Sequence, residues 1–222
     1  MVARGVGPAG PADGYAGYRI QLVEALRQRG IEDLAVLHAV SEVPRHLFVP
    51  ESVRHRAYED SALPIGADQT ISQPWVHARS IELLQLRPDD KVLEVGTGSG
   101  YQTALLARLA GNVFSIERVA ALAEGARQAL AGLGLRNVSF LVGDGTLGWR
   151  SWAPFDKIVI GAASPDVPAP LLEQLAPGGR LVLPIGDRGR QVLTLVERTP
   201  DGLRRTTAGD VRFVPLLGEH GF

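Results

Sequence analysis

Glu94 stands two residues ahead of three alternating glycines in the run Lys91-Val92-Leu93-Glu94-Val95-Gly96-Thr97-Gly98-Ser99-Gly100. These residue types suit the binding of a ligand at close range. Gly96, Gly98 and Gly100 let the backbone turn sharply and remove the Cβ atoms that would hold a ligand away, with Thr97 inside the turn. The apolar residues of Tyr101 to Leu109 recur at helical spacing, so a helix N-terminus points at the same place. The spacing is G-x-G-x-G, whereas dinucleotide-binding turns read G-x-G-x-x-G and seat a pyrophosphate on the helix. Glu94 would repel a pyrophosphate and suits a cationic amino-acid ligand.

Two further strand ends carry acidic residues. The apolar run Asn112-Val113-Phe114-Ser115-Ile116 ends at Glu117, where a carboxylate can accept hydrogen bonds from both hydroxyls of a ribose. After the run 137–142 comes Gly143-Asp144-Gly145, and Asp144 can accept from an adenine amino group. Adenosine joined to a positively charged amino acid is S-adenosylmethionine. An ordinary strand-to-helix connection is the other reading of the glycine turn, and a plain turn aspartate is the other reading of Asp144. Ser72, in Gln69-Thr70-Ile71-Ser72-Gln73-Pro74, also has two readings. It sits where a helix N-cap belongs, ahead of a proline in the first turn, and a cap contributes about 1 kcal/mol. A functional hydroxyl is the alternative, and the two roles can coexist.

The elements that must position these residues follow from periodicity. Helices are expected over Tyr18 to Arg29, over Leu34 to Val40 ahead of Pro44, and over Trp75 to Leu86, with an extended crossing at 43–50 and a loop over 63–74. From Lys91 the pattern alternates: strand 91–95, helix 101–110, strand 112–117, helix 118–131, strand 137–142, strand 157–162, helix 168–176 and strand 180–185. Alternation of this kind implies an α/β, Rossmann-like doubly wound fold, mostly parallel, with helices on both faces. Two runs, 191–197 and 209–216, separated by a stretch containing Asp201-Gly202, are expected to close the sheet edge as an antiparallel hairpin. The glycine- and proline-rich residues 1–14 are expected to form a flexible tail, and 15–222 one domain, with a helical N-terminal part over 15–86 and the Rossmann-like core over 91–222.

Composition removes several classes. With 222 residues and 45% hydrophobic content the chain can bury a full core. A net charge of -1, from 23 basic and 24 acidic residues, gives no global footprint for nucleic acid or an anionic membrane. With no cysteine there is no disulfide, thiolate metal site or cysteine nucleophile. The sequence shows no signal-peptide apolar core and no run long enough to span a bilayer, so a cytoplasmic protein is expected. A hydrolase of the G-x-S-x-G type would need serine where Gly98 stands. The five histidines (His38, His46, His55, His77, His220) are scattered without H-E-x-x-H, so no metal site is expected. No P-loop motif occurs.

Three segments together resemble the protein-L-isoaspartate O-methyltransferase family: Ala62-Leu63-Pro64-Ile65-Gly66 leading to Thr70-Ile71-Ser72-Gln73-Pro74, the glycine turn continuing through Tyr101-Gln102-Thr103-Ala104, and Val211-Arg212-Phe213-Val214-Pro215-Leu216. The resemblance covers residues 17 to 217. It implies transfer of a methyl group from S-adenosylmethionine to the α-carboxyl of L-isoaspartyl residues in age-damaged proteins and peptides, with S-adenosylhomocysteine as product and repair through a succinimide. It further implies that Ser72 is the active-site serine meeting the substrate carboxylate. Thr70 and His77 would lie near the cofactor with Glu94, Gly96, Thr97, Gly98, Gly100, Glu117, Asp144 and Gly145, and Val214 would line the peptide. The expected partners include no nucleic acid and no membrane, and the expected state is a monomer. Other classes remain: a methyltransferase of the same fold acting on RNA or a small molecule, a non-catalytic adenosine-binding module, and an NAD-dependent oxidoreductase, which the glycine spacing disfavours.

Overall fold

Strands covered on both faces read as continuous apolar runs, and the central strands of this chain do so. A computed structural model describes residues 14–187 and 189–222, so the tail expected over 1–14 lies outside the described residues apart from Gly14. Five parallel strands, β3 (Lys91–Val95), β4 (Asn112–Glu117), β5 (Val138–Val142), β6 (Phe155–Ile160) and β7 (Leu175–Gly186), are continued by antiparallel β8 (Gln191–Thr199) and β9 (Gly202–Val211). The sheet order is β5-β4-β3-β6-β7-β8-β9. Successive side chains point to opposite faces, which sorts the core into two layers. Val92, Val113, Val159 and Val182 pack with α1 (Ala16–Gln28), α2 (Leu34–Glu42), α3 (Pro74–Leu84) and α4 (Tyr101–Leu109). Leu93, Val95, Ile116, Ile158 and Ile160 pack on the other side with Leu171 of the short α6 (Ala169–Glu173). The chain winds outward from β3 in both directions, through β4 on one side and β6 on the other. That makes the carboxyl end of β3 the switch point where a crevice opens.

The α/β architecture agrees with the sequence expectation, and four local departures have physical causes. The expected loop at 63–74 contains a hairpin, β1 (Leu63–Gly66) and β2 (Gln69–Ile71), whose turn places Ala67 at φ 51° and Asp68 at φ 55°. Two left-handed residues are what a tight hairpin needs, but here neither is glycine, so the usual signal is missing. The expected helix over 168–176 shrinks to five residues, because Pro177 pushes Ala176 out of helical geometry and β7 begins at Leu175. The last strand is β9 over 202–211 and not 209–216. Thr199 pairs with Gly202 across a two-residue connection, and this turn fixes the register. Its residues Arg204 to Thr207 are polar and exposed, as an edge strand requires, so apolar patterning underweights them. Finally, the N-cap of α3 is Gln73, so Ser72 is not the cap.

Candidate active site

The crevice above β3 holds a cavity lined by the tips of β3, β4 and β6, by residues 69–72 and by residues 213–217. Three strand ends and one loop build it. Gly96 N–H donates to Ile116 O at 2.8 Å and Gly161 N–H to Val95 O at 2.8 Å, so the chain passes the mouth of the cavity at the tips of β3, β4 and β6. Gly98 is at φ +54° and lines the cavity, and the nearest atom to a Cβ built there would be Cδ1 of Ile65 at 3.5 Å. The turn and the β1–β2 hairpin therefore face one another across a narrow gap, and glycine keeps that gap open to a ligand.

Glu117 lines the cavity and is nearly buried. Its Oε2 accepts from Gly98 N at 2.8 Å and its Oε1 from Val119 N at 2.9 Å, which ties the carboxylate to the turn. A carboxylate has about four lone-pair sites, so acceptor capacity remains for a ligand.

Glu94 is fully buried and stands behind the cavity lining. Its carboxylate accepts from Ser115 Oγ at 2.6 Å, Thr103 Oγ1 at 2.6 Å and Gln102 Nε2 at 3.2 Å. Burial pushes its pKa up to about 7; the three donors oppose that shift and the charge of Glu117 adds to it. Gln102, which does line the cavity, relays this group to the wall, because its Oε1 meets His77 Nδ1 at 3.0 Å.

His77 is pushed down to about 3 by burial, helped by the charge of Arg45 and opposed by its bond to Gln102, so its imidazole is neutral at physiological pH. Nδ1–H then donates to Gln102 Oε1, and the lone pair of Nε2 is left buried without a partner among the described residues. An orphan acceptor in the cavity wall can take a hydrogen bond from a ligand's N–H or O–H or from a water.

Asp144 is also outside the cavity lining, although Gly145 is part of it. Oδ1 accepts from Thr146 N at 2.8 Å and Thr146 Oγ1 at 2.7 Å, and Oδ2 accepts from Glu219 N at 2.8 Å, which leaves Oδ2 with acceptor capacity to spare. Burial works to raise its pKa, but the bonds from Glu219 and Thr146 outweigh it and hold the carboxyl below its ordinary value. Gly100 likewise lies away from the cavity. A Cβ there would come within 2.8 Å of Ala126 Cβ, so this glycine serves the packing of α4 on α5 (Ala120–Gly132).

Of the expected site residues, Thr70, Ser72, His77, Gly96, Thr97, Gly98, Glu117, Gly145 and Val214 meet at this cavity. Thr70, Ser72 and Val214 also line a second cavity, bounded by Ala62, Val76 and residues 210–214. Ser72 thus stands where two cavities join, and its hydroxyl makes no hydrogen bond among the described residues. Sequence reasoning missed Gln102. Its signal is a pair of polar residues, Gln102-Thr103, on the buried start of an otherwise apolar helix.

The cavity fits S-adenosylmethionine in its donor and acceptor chemistry. The nearly buried carboxylate of Glu117 favours a cation, Nε2 of His77 lacks a donor among the described residues, and the backbone around Gly98 leaves room for close approach.

Comparisons with known proteins agree with this chemistry. Residues 18–221 match the family model described as Protein-L-isoaspartate(D-aspartate) O-methyltransferase. The chain is 51% identical over 208 residues to the protein-L-isoaspartate O-methyltransferase of Dictyoglomus turgidum, covering 94% of each chain. It is 54% identical over 200 residues to that of Pseudomonas paraeruginosa, covering 90% of this chain and 95% of the relative. Among solved structures, one described as a protein-L-isoaspartate O-methyltransferase aligns with a TM-score of 0.83 at 31% identity, over 91% of this chain and 67% of that one. A Plasmodium falciparum structure described as the same kind of enzyme in complex with S-adenosyl-L-homocysteine aligns with a TM-score of 0.76 at 27% identity, over 89% of this chain and 97% of that one.

Proposed function

The chain belongs to the protein-L-isoaspartate O-methyltransferase family, and from that premise we infer how its own residues carry out methyl transfer to the α-carboxyl of L-isoaspartyl residues in proteins and peptides. When bound, S-adenosylmethionine supplies an electrophilic methyl group on a sulfonium. The substrate supplies a carboxylate, whose ordinary pKa of roughly 3.5 to 4 leaves it ionised at neutral pH. No general base is then needed, which suits a cavity whose histidine is held neutral and only weakly basic and whose carboxylate, Glu117, is bound by the amides of Gly98 and Val119.

The work left to the protein is placement. Holding two reacting groups in near-attack geometry can supply ~7 kcal/mol or more of the barrier. In this reading Glu117 takes the ribose hydroxyls, Nε2 of His77 accepts from the amino-acid end of the cofactor, and Gly96 to Gly98 admit it at close range. Glu94 acts from behind Gln102, fixing the amide that fixes His77. Asp144 orders the segment 216–222 beside the adenine end. Ser72 orients the carboxylate with one hydrogen bond from its uncharged hydroxyl, and Thr70 and Val214 line the peptide path. A dry cavity favours the step, because an anion meeting a cation neutralises charge.

The observation that carries this reading is the free hydroxyl of Ser72 at the junction of the two cavities, one built around the glycine turn and the other opening beside residues 210–214. The near-zero net charge supports the absence of a nucleic-acid partner, and among the described residues no helix is long and apolar enough to cross a membrane, in keeping with a cytoplasmic place of work.

The experiment is to follow an L-isoaspartyl peptide by mass spectrometry with enzyme and cofactor. Gain of one methyl group followed by loss of methanol to give a succinimide is the expected course. A methylated peptide that survives mild base would show methylation elsewhere and would end the carboxyl assignment.

A further inference from the structure

Arg45 is among the largest fully buried side chains of the described residues, and no carboxylate stands beside it among them. A buried charge without a counter-ion is costly, and its retention asks what the guanidinium holds. Arg45 begins a short 3-10 turn, Arg45–Phe48, after Pro44. Its Nε donates to Ala57 O at 2.8 Å and its Nη2 to Ser72 O at 2.7 Å. Its plane lies 4.7 Å over the ring of Tyr101, the first residue of α4 after the glycine turn. Nη1 has no partner among the described residues.

One group therefore joins the chain ahead of the β1–β2 hairpin, the main chain of Ser72 and the segment that follows the cofactor turn. We propose that Arg45 is a positioning residue for the reaction: by pinning the Ser72 carbonyl against Tyr101 it fixes the Ser72 hydroxyl relative to the glycine turn. This rests on the reading of Ser72 as the residue that orients the substrate carboxylate. The planar fork is needed because two carbonyls 15 residues apart in sequence and an aromatic face must be met at once, which a lysine ammonium does not do. Even burial leaves the group cationic, since its pKa falls only to about 10. The same charge also helps to hold His77 neutral.

The test is a double-mutant cycle of Arg45→Lys with Ser72→Ala, using an L-isoaspartyl peptide. Arg45→Gln, which keeps one donor without the charge, is carried in parallel. All rates are normalised to sites titrated by S-adenosylmethionine in calorimetry, which removes unfolded protein from the comparison. Arg45→Lys is expected to lower kcat about tenfold or more, as small misplacements do, with cofactor Kd changed less than about threefold. In the Ser72→Ala background the same substitution is expected to lower kcat less than about twofold, because the group being positioned is gone. Equal losses in the two backgrounds, or no loss after normalisation, would overturn the proposal. So would a failure of both Arg45 variants to bind cofactor, since Arg45 would then be a requirement of the fold alone. A wild-type enzyme inactive on the peptide, or a Ser72→Ala variant as fast as wild type, would instead remove the reading of Ser72.

Discussion

Replacing Glu94 with glutamine should remove part of the pH dependence of stability. Glu94 is fully buried, and its pKa stands at about 7 where the unfolded chain has 4.5. Between those values the folded state keeps a proton that the unfolded state has released, so wild-type stability falls as pH rises. The contribution is fully present below 4.5 and is lost as pH passes about 7. At roughly 1.4 kcal/mol for each pH unit, the whole window amounts to about 3 kcal/mol. Glutamine does not titrate, but it places an NH2 donor against the hydroxyls of Ser115 and Thr103, where the protonated acid still offers an acceptor. This adds a pH-independent loss of about 1–3 kcal/mol. The assay is urea unfolding of both proteins at several pH values from 5 to 8, reading stability at constant m-value. The difference, variant minus wild type, should climb with pH by up to about 3 kcal/mol and flatten above 7. Parallel curves would refute the reasoning: Glu94 would then be ionised throughout, its three donors having offset the desolvation.

Three other outcomes are expected. Ser72→Ala should lower turnover about 10- to 100-fold, the worth of one positioning hydrogen bond in the transition state, while cofactor Kd measured by calorimetry stays nearly constant; equal losses in both would reject its role. In Gly145→Ala, the new Cβ would overlap the Val95 side chain and cost about 1–3 kcal/mol in thermal unfolding, and Val95→Ala in the same protein should recover part of that loss. Asp144→Ala should free the amide of Glu219 and release Thr146 Oγ1, which holds the amide of His220, so hydrogen exchange in residues 216–222 should quicken about tenfold. In wild type the same loosening should appear only in acid, because the lowered pKa of Asp144 keeps its contribution intact above the ordinary value and loses it as pH falls through the depressed one.

The parts of the fold legible in the sequence are those where an apolar run meets an abrupt chemical boundary. Lys91–Val95 and Asn112–Glu117 fall where expected, because each strand starts at a polar residue and stops at a glycine turn or a carboxylate. The β1–β2 hairpin was hidden because Ala67 and Asp68 adopt the left-handed turn that glycine or asparagine usually announces. β9 was hidden because an exposed edge strand owes its place to its turn and partner and little to apolar patterning. At the site, local motifs located the glycine turn, Glu117 and the 70–72 segment, all of which meet at the cavity. They could not show that Glu94 faces inward onto Ser115 and Thr103, since those partners come from a neighbouring strand and a following helix. Nor could they show that Glu219 reaches Asp144 across 75 positions. Arg45 was least legible, because arginine is ordinarily a surface residue and only the folded chain shows it enclosed.

The most direct test of the account compares kcat/KM for methyl transfer from S-adenosylmethionine to two peptides that differ only in having L-isoaspartate or normal aspartate at one position. Transfer to the isoaspartyl peptide alone, in base-labile form, is the expected result. Equal transfer to both, or none to either while the cofactor still binds, would contradict it.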